Sequence, residues 1–462
     1  MKPKYFLALG LLALGLGSCG ESFFEQYPSN NITEGNFYKT DDDFNQGVVA
    51  CYAKLKTQMS FHLTEIGYRS DENILESMAV STQDRYDIDN FIETASNGIL
   101  SDIWDAWYNG IYRCNDVLDH LAGAKIANYD KYRGECLFLR SWWYFNLYRV
   151  FGVVPIARTV VTPAAAKLIP RCTEEEMYTL LTEDLAEAAR LLPSTPGPEK
   201  ARVANIAAYT LLAKVYLTFG KPAEAKTALE EAMKNTSYGL ESTTKKVFDV
   251  GNKMNREIIF ALYYNKTNDN GHGYWYSANT EVLADIRNPT PEFKAIYDGE
   301  KDNRLPLIGT YTKISSNLYA MTKWYDTYDA TYTTQVGNDF PHLRYADVVL
   351  MYAEALAESG GSLDDALVWL NKTRVRAGLD ELTTDEVKSL AEFRRELADE
   401  RGREFALEGH RWFDLVRLGL AVDYFRGLGY SLDAHNLIFP IPQSQIEIVN
   451  NPSILWQNPG FN

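Results

Sequence analysis

The chain has 462 residues and an acidic balance, with 46 lysines and arginines against 62 aspartates and glutamates. No basic block offsets this charge, and binding to nucleic acid or to anionic lipid head groups needs the opposite sign. Aromatic residues make up 13% of the chain, and 30 of them are tyrosines. Because a buried tyrosine hydroxyl needs a hydrogen-bond partner, we expect part of this surplus on surfaces that contact a ligand.

The first 18 residues predict a lipoprotein signal peptide. Lys2 and Lys4 form a basic start, and residues 7–16 are an apolar run much shorter than the roughly 20 residues of a spanning helix. The sequence Leu-Gly-Ser-Cys at residues 16–19 resembles a lipobox, which predicts cleavage before Cys19 and a lipid on its sulfur. Such a lipid anchors a protein to a membrane without spanning it. The alternative is an ordinary signal peptide that ends in cysteine.

Helical periodicity predicts about four helix pairs along the chain. Residues 207–234 read as a helix, a Phe-Gly-Lys-Pro turn and a second helix, and residues 345–373 repeat this plan around Gly360 and Gly361. A looser pair is predicted within residues 132–192, and residues 44–59 with 103–121 form a fourth, non-contiguous pair. Small and aromatic residues at these spacings resemble tetratricopeptide repeats, which stack into a curved scaffold.

Two regions break this pattern. Residues 60–100 are polar and turn-rich, and residues 236–341 mix short β-like runs, such as 257–264, with loops rich in Gly, Asn, Asp and Tyr. We therefore predict a mainly α fold, in which a tetratricopeptide-like scaffold carries a variable, loop-rich ligand face with short β segments. After a signal peptide at 1–18, residues 19–462 form one domain. The predicted scaffold is mainly 37–59, 101–235 and 342–426, and the loop-rich face is mainly 60–100 and 236–341.

The C-terminal residues 436–462 are rich in Pro and Asn. We expect them to form an extended cover packed on the body of the protein. Its predicted apolar anchors are Ile438, Phe439, Ile441 and Trp456.

Several tryptophans follow the helical period and are predicted to be core. Trp104, Trp107, Tyr108 and Ile111 stand at i, i+3, i+4 and i+7, which is the spacing of one buried helix face. Trp142 and Phe145 are interpreted in the same way.

Four glutamates, at 396, 400, 404 and 408, recur every fourth residue and share one helix face. Like charges at that spacing destabilise a helix unless cations meet them. We expect an inter-helix ion network with arginines drawn from 374, 376, 403 and 411. The alternative is an acidic substrate site.

The four cysteines after Cys19 match no zinc-binding spacing and fall in helix-like stretches. They are predicted to be buried free thiols. One disulfide among them is the alternative. These residues are Cys51, Cys114, Cys136 and Cys172.

Sugar binding needs flat aromatic faces beside polar groups that satisfy the hydroxyls. Three loop-borne clusters meet this description: Tyr86 with its polar neighbours, the adjacent aromatics at 274–276, and the tyrosines at 325, 328 and 332. The alternative for each cluster is an aromatic plug that fills the space under a loop. The predicted ligand-binding residues are Arg85, Tyr86, Asn90, Tyr274, Trp275, Tyr276 and Tyr328. Residues 268–270 are rich in side-chain oxygens, so calcium binding there is an alternative. They lack the spacing of a known calcium-binding loop.

Catalytic motifs are absent from the sequence: there is no GxSxG, HExxH or Gly-rich phosphate loop, and the six histidines are dispersed. The number of Asp and Glu residues does not show whether two of them form a glycosidase pair, because catalysis depends on the distance between the two carboxylates. We expect neither enzymatic activity nor a cofactor.

Several segments together resemble the SusD/RagB family of outer-membrane lipoproteins from Bacteroidota, over essentially the whole chain. Besides the lipobox, the resemblance is carried by residues 36–38, 41–50, 104–115, 134–155, 340–358, 395–417, 438–443 and 457–460.

This resemblance implies a scaffold of four tetratricopeptide units, anchored in the outer membrane and facing the exterior. It implies that the protein binds oligosaccharides and passes them to a SusC-like TonB-dependent transporter beneath it. The alternatives are peptide capture by the same RagB-like scaffold, a scaffold that only gates its transporter, and a glycoside hydrolase.

Overall fold

The computed structural model describes residues 37–73, 83–197, 199–264, 277–278, 289–309, 311–315, 318–324 and 337–461. Within these ranges, no helix is both long and apolar enough to cross a membrane. Cys19 and the predicted signal peptide lie outside the described residues.

The fold consists mainly of helices, with five short strands. The helices are α1 Asp41–Gly67, α2 Gln83–Asp89, α3 Gly98–Leu121, α4 Tyr129–Phe151, α5 Pro163–Ala166, α6 Glu174–Leu191, α7 Asn205–Thr218, α8 Pro222–Met233, α9 Thr244–Val247, α10 Pro291–Lys294, α11 Leu305–Ile308, α12 Tyr345–Glu358, α13 Leu363–Arg376, α14 Leu390–Phe405, α15 Arg411–Arg417, α16 Ala421–Gly427 and α17 Gln443–Val449. The strands are β1 Ile258–Leu262, β2 Ser277–Ala278, β3 Tyr311–Ser315, β4 Leu318–Met321 and β5 Phe340–Arg344.

All four predicted helix pairs are confirmed. Helix α7 packs on α8 and α12 on α13, while α4 packs on α6 and α1 on α3. The first two pairs turn at Gly220 and Gly360, whose φ angles of 67° and 82° lie in the left-handed region that glycine adopts without strain. Contacts between α6 and α7 and between α8 and α12 join successive pairs into one scaffold.

Helix α1 is longer than predicted. A capping box between Thr40 and Asp43 starts it, and it continues to Gly67 instead of ending near residue 59. Leu63 and Ile66 are buried on its last two turns, so core packing extends the helix through a polar sequence. The region 60–100, predicted as loop, therefore also contains the end of α1, all of α2 and the start of α3.

The aromatic stripe predicted as core is confirmed. Trp107 and Ile111 are buried, and Trp104 packs edge-on against Phe151 with ring centroids 5.2 Å apart. Helices α3 and α4 approach closely at Gly110, where an added Cβ would lie 2.2 Å from the Trp143 ring. This glycine therefore allows two large aromatic faces to meet inside the scaffold. Trp142 and Phe145 lie in the same core, and the partly buried Tyr108 packs against it.

The β-like run at 257–264 is confirmed as β1, which pairs antiparallel with β5. Strand β5 leads directly into α12, so this two-stranded ribbon is attached to the scaffold. His342 of β5 is buried between Trp142 and Phe260, with ring centroids 4.8 and 5.5 Å away. The other sheet has the strand order β2-β4-β3.

The C-terminal cover is confirmed in part. Phe439 and Ile441 are fully buried, and the Asn458 amide donates to the Phe439 carbonyl at 2.7 Å. Trp456 was expected to be an anchor, which is wrong because its side chain is 41% exposed. The Arg171 guanidinium lies 4.8 Å from its ring centroid and holds it at the surface. The segment also contains a helix, α17, where an extended chain was predicted.

The predicted ion network exists, although its members differ from those expected. Glu400 and Glu404 of α14 and Glu408 just beyond it are buried and ion-paired. Glu396 is half-buried and forms no ion pair with a described residue. Of the expected cations, Arg403 pairs with Glu400. Arg376 pairs with Glu404.

Two expected cations lie elsewhere: Arg411 pairs with Asp71, and Arg374 forms no ion pair within the described chain. Their places are taken by arginines distant in sequence. Arg344 contacts Glu257 and Glu404 at 2.7 Å each and Glu408 at 2.8 Å. Arg304 contacts Glu400 at 2.8 Å.

The charges of this buried ion network balance, with five cations to five carboxylates. Its members are Arg304, Lys323, Arg344, Arg376, Arg403, Glu257, Asp302, Glu400, Glu404 and Glu408. Burial opposes ionisation of Glu404, but the guanidinium groups of Arg376, Arg344 and Arg304 outweigh it and hold the pKa of Glu404 below its ordinary value. Removing one member therefore leaves a buried charge without its partner.

We predict that Glu404→Gln lowers the free energy of unfolding by about 3–5 kcal/mol, since three arginines lose a shared partner. Glu396→Gln on the same helix is the matched control, and its effect should be small. Thermal and urea unfolding followed by circular dichroism measure both variants. Equal stability of the two variants would refute a central role for Glu404.

Stability should also depend on pH through His342. Burial lowers the pKa of His342 to about 3, aided by Arg149 and Lys214 nearby. Since the unfolded histidine titrates near 6.5, the unfolded state binds the proton first as the pH falls, and stability declines below that pH.

Between about pH 7 and pH 5, the wild type should lose about 2 kcal/mol more stability than His342→Phe, which keeps an aromatic ring at this position. Urea unfolding across that pH range measures the difference. Above about pH 7.5, the histidine is neutral in both states, so the two proteins should differ only by a constant offset. Parallel pH profiles down to pH 5 would contradict this prediction.

Candidate functional site

Most of the predicted ligand-binding aromatics lie outside the described residues and stay predictions. This holds for Tyr274, Trp275, Tyr276 and Tyr328, and for the oxygen-rich run at 268–270. Arg85, Tyr86 and Asn90 are described, and they lie on or just after α2.

Arg85 is held in place by Glu65 near the end of α1. Its Nε donates to both carboxylate oxygens, at 2.7 and 3.0 Å. Glu65 is buried, whereas the Arg85 side chain remains 30% exposed. The hydrogen bond to Glu65 raises the pKa of Arg85. The pair fixes a guanidinium at the surface, and within the described chain no hydrogen bond occupies its two Nη groups.

Tyr86, the next residue on α2, is half-buried. Within the described part of the chain, its hydroxyl has no hydrogen-bond partner and its ring has no aromatic neighbour. A partly exposed ring with an unpartnered hydroxyl fits the stacking surface that a sugar needs. Tyr86 was expected on a loop, which is wrong because it lies within the helix α2. Its contact with a ligand stays a prediction.

Asn90 has a structural task that its sequence context does not reveal. Its amide nitrogen donates to the Tyr86 carbonyl at 2.9 Å, and its backbone N–H donates to the same oxygen at 3.0 Å. Asn90 therefore ends α2 by satisfying a terminal carbonyl. A ligand role for the side chain remains a prediction.

Tyr263, just after β1, is a surface aromatic that the sequence reasoning missed. Its side chain is 44% exposed, and the Lys253 ammonium lies 4.1 Å from its ring centroid. Alternation along the predicted strand 257–264 was the available signal, because it places one of two adjacent tyrosines outward. The next residue, Tyr264, is buried.

Lys253 also joins the ends of the two paired strands. Its ammonium contacts Asp339 at 2.8 Å and donates to the carbonyls of Tyr264 and Gly337 at 2.6 and 2.7 Å. Burial raises the pKa of Asp339 to about 6, although Lys253 partly offsets it. The lysine therefore positions Tyr263 and ties together the chain on both sides of it.

The segment after α1 is anchored in the scaffold by buried polar groups. Asp71 forms an ion pair with Arg411 at 3.0 Å, and its carbonyl accepts from the Thr290 hydroxyl at 2.9 Å. Glu72 accepts from the Leu407 backbone N–H at 3.1 Å. Burial, with the charge of Asp71 as a second cause, raises the pKa of Glu72 to about 8. These contacts hold Asp71 and Glu72 against the chain at the end of α14 and the start of α15.

The cysteines of the described chain form no disulfide. Cys51, Cys114, Cys136 and Cys172 are free and buried, as predicted. In the same residues, no group of three His, Cys, Asp or Glu side chains is arranged to hold a metal ion.

Two family models match the chain. The model described as SusD family matches residues 303–461, and that described as "Starch-binding associating with outer membrane" matches residues 25–217. A full-length relative, SusD-like protein P2 from Formosa agariphila, is 26% identical and is aligned over 99% of this chain and 100% of its own.

Solved structures share the fold. A SusD superfamily protein from Bacteroides vulgatus has a TM-score of 0.77 at 24% identity, covering 92% of this chain and 100% of its own. A laminarin-binding SusD-like protein has a TM-score of 0.73 at 25% identity, with the same two coverages.

These similarities extend over the helical scaffold and confirm the resemblance seen in the sequence motifs. The matched models include α1 to α7 and continue from α11 through the C-terminal segment. The chain belongs to the SusD/RagB family.

Proposed function

We propose that this protein binds an oligosaccharide at the outer membrane and passes it to a SusC-like TonB-dependent transporter. The proposed binding surface is the loop-rich face bordered by Tyr86 and Tyr263. Cys19 would carry the lipid that anchors the protein, with its body facing the cell exterior.

The observation that carries this proposal is the guanidinium of Arg85, held by Glu65, next in sequence to the half-buried Tyr86. The ring offers an apolar face for the C–H groups of a sugar, and the Glu65-bound guanidinium offers fixed donors for its hydroxyls. Holding Arg85 in place beforehand reduces the entropy lost on binding. Tyr263 adds a second exposed ring beside a cation.

The relatives support a glycan as the ligand. One matching family model is described as starch-binding, and one structural neighbour binds laminarin. Neither fact identifies the glycan of this chain. Aromatic stacking at about 1 kcal/mol per ring favours modest affinity, which suits a protein that must release its cargo.

We further propose that the protein is not an enzyme. A glycosidase needs an accessible acid with a raised pKa. The pKa values of Glu72 and Asp339 are raised, but Glu72 is only 1% exposed and Asp339 is ion-paired with Lys253. Both carboxyls fit the role of holding chain segments in place.

We predict that Tyr86→Ala and Tyr263→Ala each weaken glycan binding about fivefold, because each removes a stacking surface. Affinity gel electrophoresis against a polysaccharide panel that includes laminarin and starch measures retention. Trp275→Ala should have a similar effect. Tyr112→Ala is the matched control, since Tyr112 is 47% exposed on α3 of the scaffold.

If every glycan that retains the wild type also retains all three variants equally, the aromatic surface is not the binding surface. If wild type is retained by no glycan and peptides copurify with it, the RagB-like alternative is correct. Release of shorter sugars from any oligosaccharide by the purified protein would overturn the non-enzymatic assignment.

We also predict that Cys19→Ala moves the protein from the membrane fraction to the soluble fraction, because it removes the lipidation site. Glycan binding by the released protein should be unchanged. Cys172→Ala is the control and should stay in the membrane fraction. Membrane retention of Cys19→Ala would exclude this anchor.

A further inference from the structure

A pocket of about 340 Å³ opens between three scaffold helices. The ends of α4 and α7 and the whole of α15 form its walls, and Leu437 and Ile438 close one side. It shares no residue with the surface around Tyr86 and Tyr263. Its volume falls at the lower end of the range of small-molecule sites.

The walls of this pocket are largely apolar. Phe145 and Phe413 are buried beneath it, and the half-buried Leu437 and Ile438 lie at its rim. Tyr148 and Thr218 are also half-buried, so the pocket reaches the surface. A ligand with an apolar body fits such walls better than a sugar, whose hydroxyls would lack partners.

Arg149 is the distinctive group in this pocket. Its guanidinium lies between two rings, 3.9 Å from the Phe413 centroid and 4.8 Å from that of Phe145. One Nη donates to the side-chain oxygen of Asn146, while the buried Nε has no hydrogen-bond partner. No carboxylate of a described residue lies within ion-pair distance. Burial lowers the pKa of Arg149 to about 9, and the more distant Asp414 and Asp347 only partly offset this effect.

The other charges around the pocket cancel. Lys214 and Arg401 share Asp347, at 2.5 and 2.8 Å. Arg401 also contacts Asp414 at 2.8 Å, and Arg417 contacts both Asp414 and Glu354. These three cations therefore meet three carboxylates.

His410 adds no charge, because burial and the nearby Lys214 hold its pKa well below the ordinary value. Arg149 is consequently a single uncompensated positive charge. The residue is half-buried, with its Nε shielded from water, and an unpaired charge in such a place is costly unless a ligand neutralises it.

We propose that this pocket binds a small monocarboxylate with an apolar body, whose carboxylate sits against the guanidinium of Arg149. A carboxylate matches the planar geometry of a guanidinium and can accept from its Nη groups. Its single negative charge equals the excess charge of the pocket, whereas a dianion would leave a buried negative charge. The apolar body occupies the space beside Phe145 and Phe413. This ligand is separate from the glycan, and the inference does not depend on the proposed function.

Benzoate is the probe, and benzamide is its neutral control of the same shape. Isothermal titration calorimetry on the full folded protein should show benzoate binding with a midpoint of about 1 mM, a value typical of a ligand of this size. Benzamide should bind at least about tenfold more weakly, because it lacks the charge.

Arg149→Met tests the residue directly. It keeps the apolar volume between the rings and removes the unpaired charge, so the variant should fold with at least wild-type stability. Benzoate affinity should fall at least about tenfold. Arg133→Met is the control, since Arg133 pairs with Glu187 outside this pocket, and it should bind benzoate like the wild type.

Phe413→Leu provides a second test, because it keeps Arg149 but shortens the apolar wall. It should weaken benzoate binding and should not strengthen benzamide binding. Equal binding of benzoate and benzamide, equal binding by wild type and Arg149→Met, or no benzoate binding at 20-fold the expected midpoint would each overturn the proposal. Glycan retention of Arg149→Met should equal that of wild type, so failure here is distinguishable from failure of the proposed function.

Discussion

The buried ion network around Glu404 and Arg344 is the interaction on which the rest of the structure depends. Arg344 stands at the end of β5, immediately before α12, and contacts Glu257 beside β1 and two glutamates near the end of α14. Charges taken out of water require partners with good geometry. This requirement permits only one placement of the strand pair against the helices, and thereby sets where the chain leaves the scaffold.

Buried ion pairs also hold the chain segments that lead to the proposed binding face. Lys323, next to Trp324, is paired with Glu408, and Asp302 and Arg304 join the network through α14. On the other side, Arg411 holds Asp71. Chain segments that lead to the loop-rich face are therefore fixed at their described ends by buried charge pairs. Ion pairs of this kind give the loop-rich face rigid supports.

Arg149 stands out against this balanced background. In the described core, the buried guanidinium groups of Arg304, Arg344 and Arg401 each meet at least one carboxylate. Arg171 meets none, but its guanidinium donates to three oxygens. Arg149 meets two aromatic rings and one amide instead. By our proposals, the scaffold thus offers a place for a second ligand, apart from the glycan-binding face.

Local patterns in the sequence determined the helix pairs, their glycine turns and the Trp104–Trp107 core stripe, because helical periodicity and left-handed glycines depend on neighbouring residues only. The same patterns located Tyr86 and Arg85 as a candidate site. They also indicated that Glu400 and Glu404 need cations. They could not name Arg304 as a partner, since 96 residues separate it from Glu400.

Only the tertiary structure decided the features that depend on distant neighbours. Packing of Leu63 and Ile66 lengthened α1 through a polar sequence. Asn90 proved to end a helix, and Trp456 lies at the surface beside Arg171. The unpaired charge of Arg149 is the clearest case. Whether an arginine has a partner depends on all the groups that pack around it, and its neighbours in sequence do not reveal this.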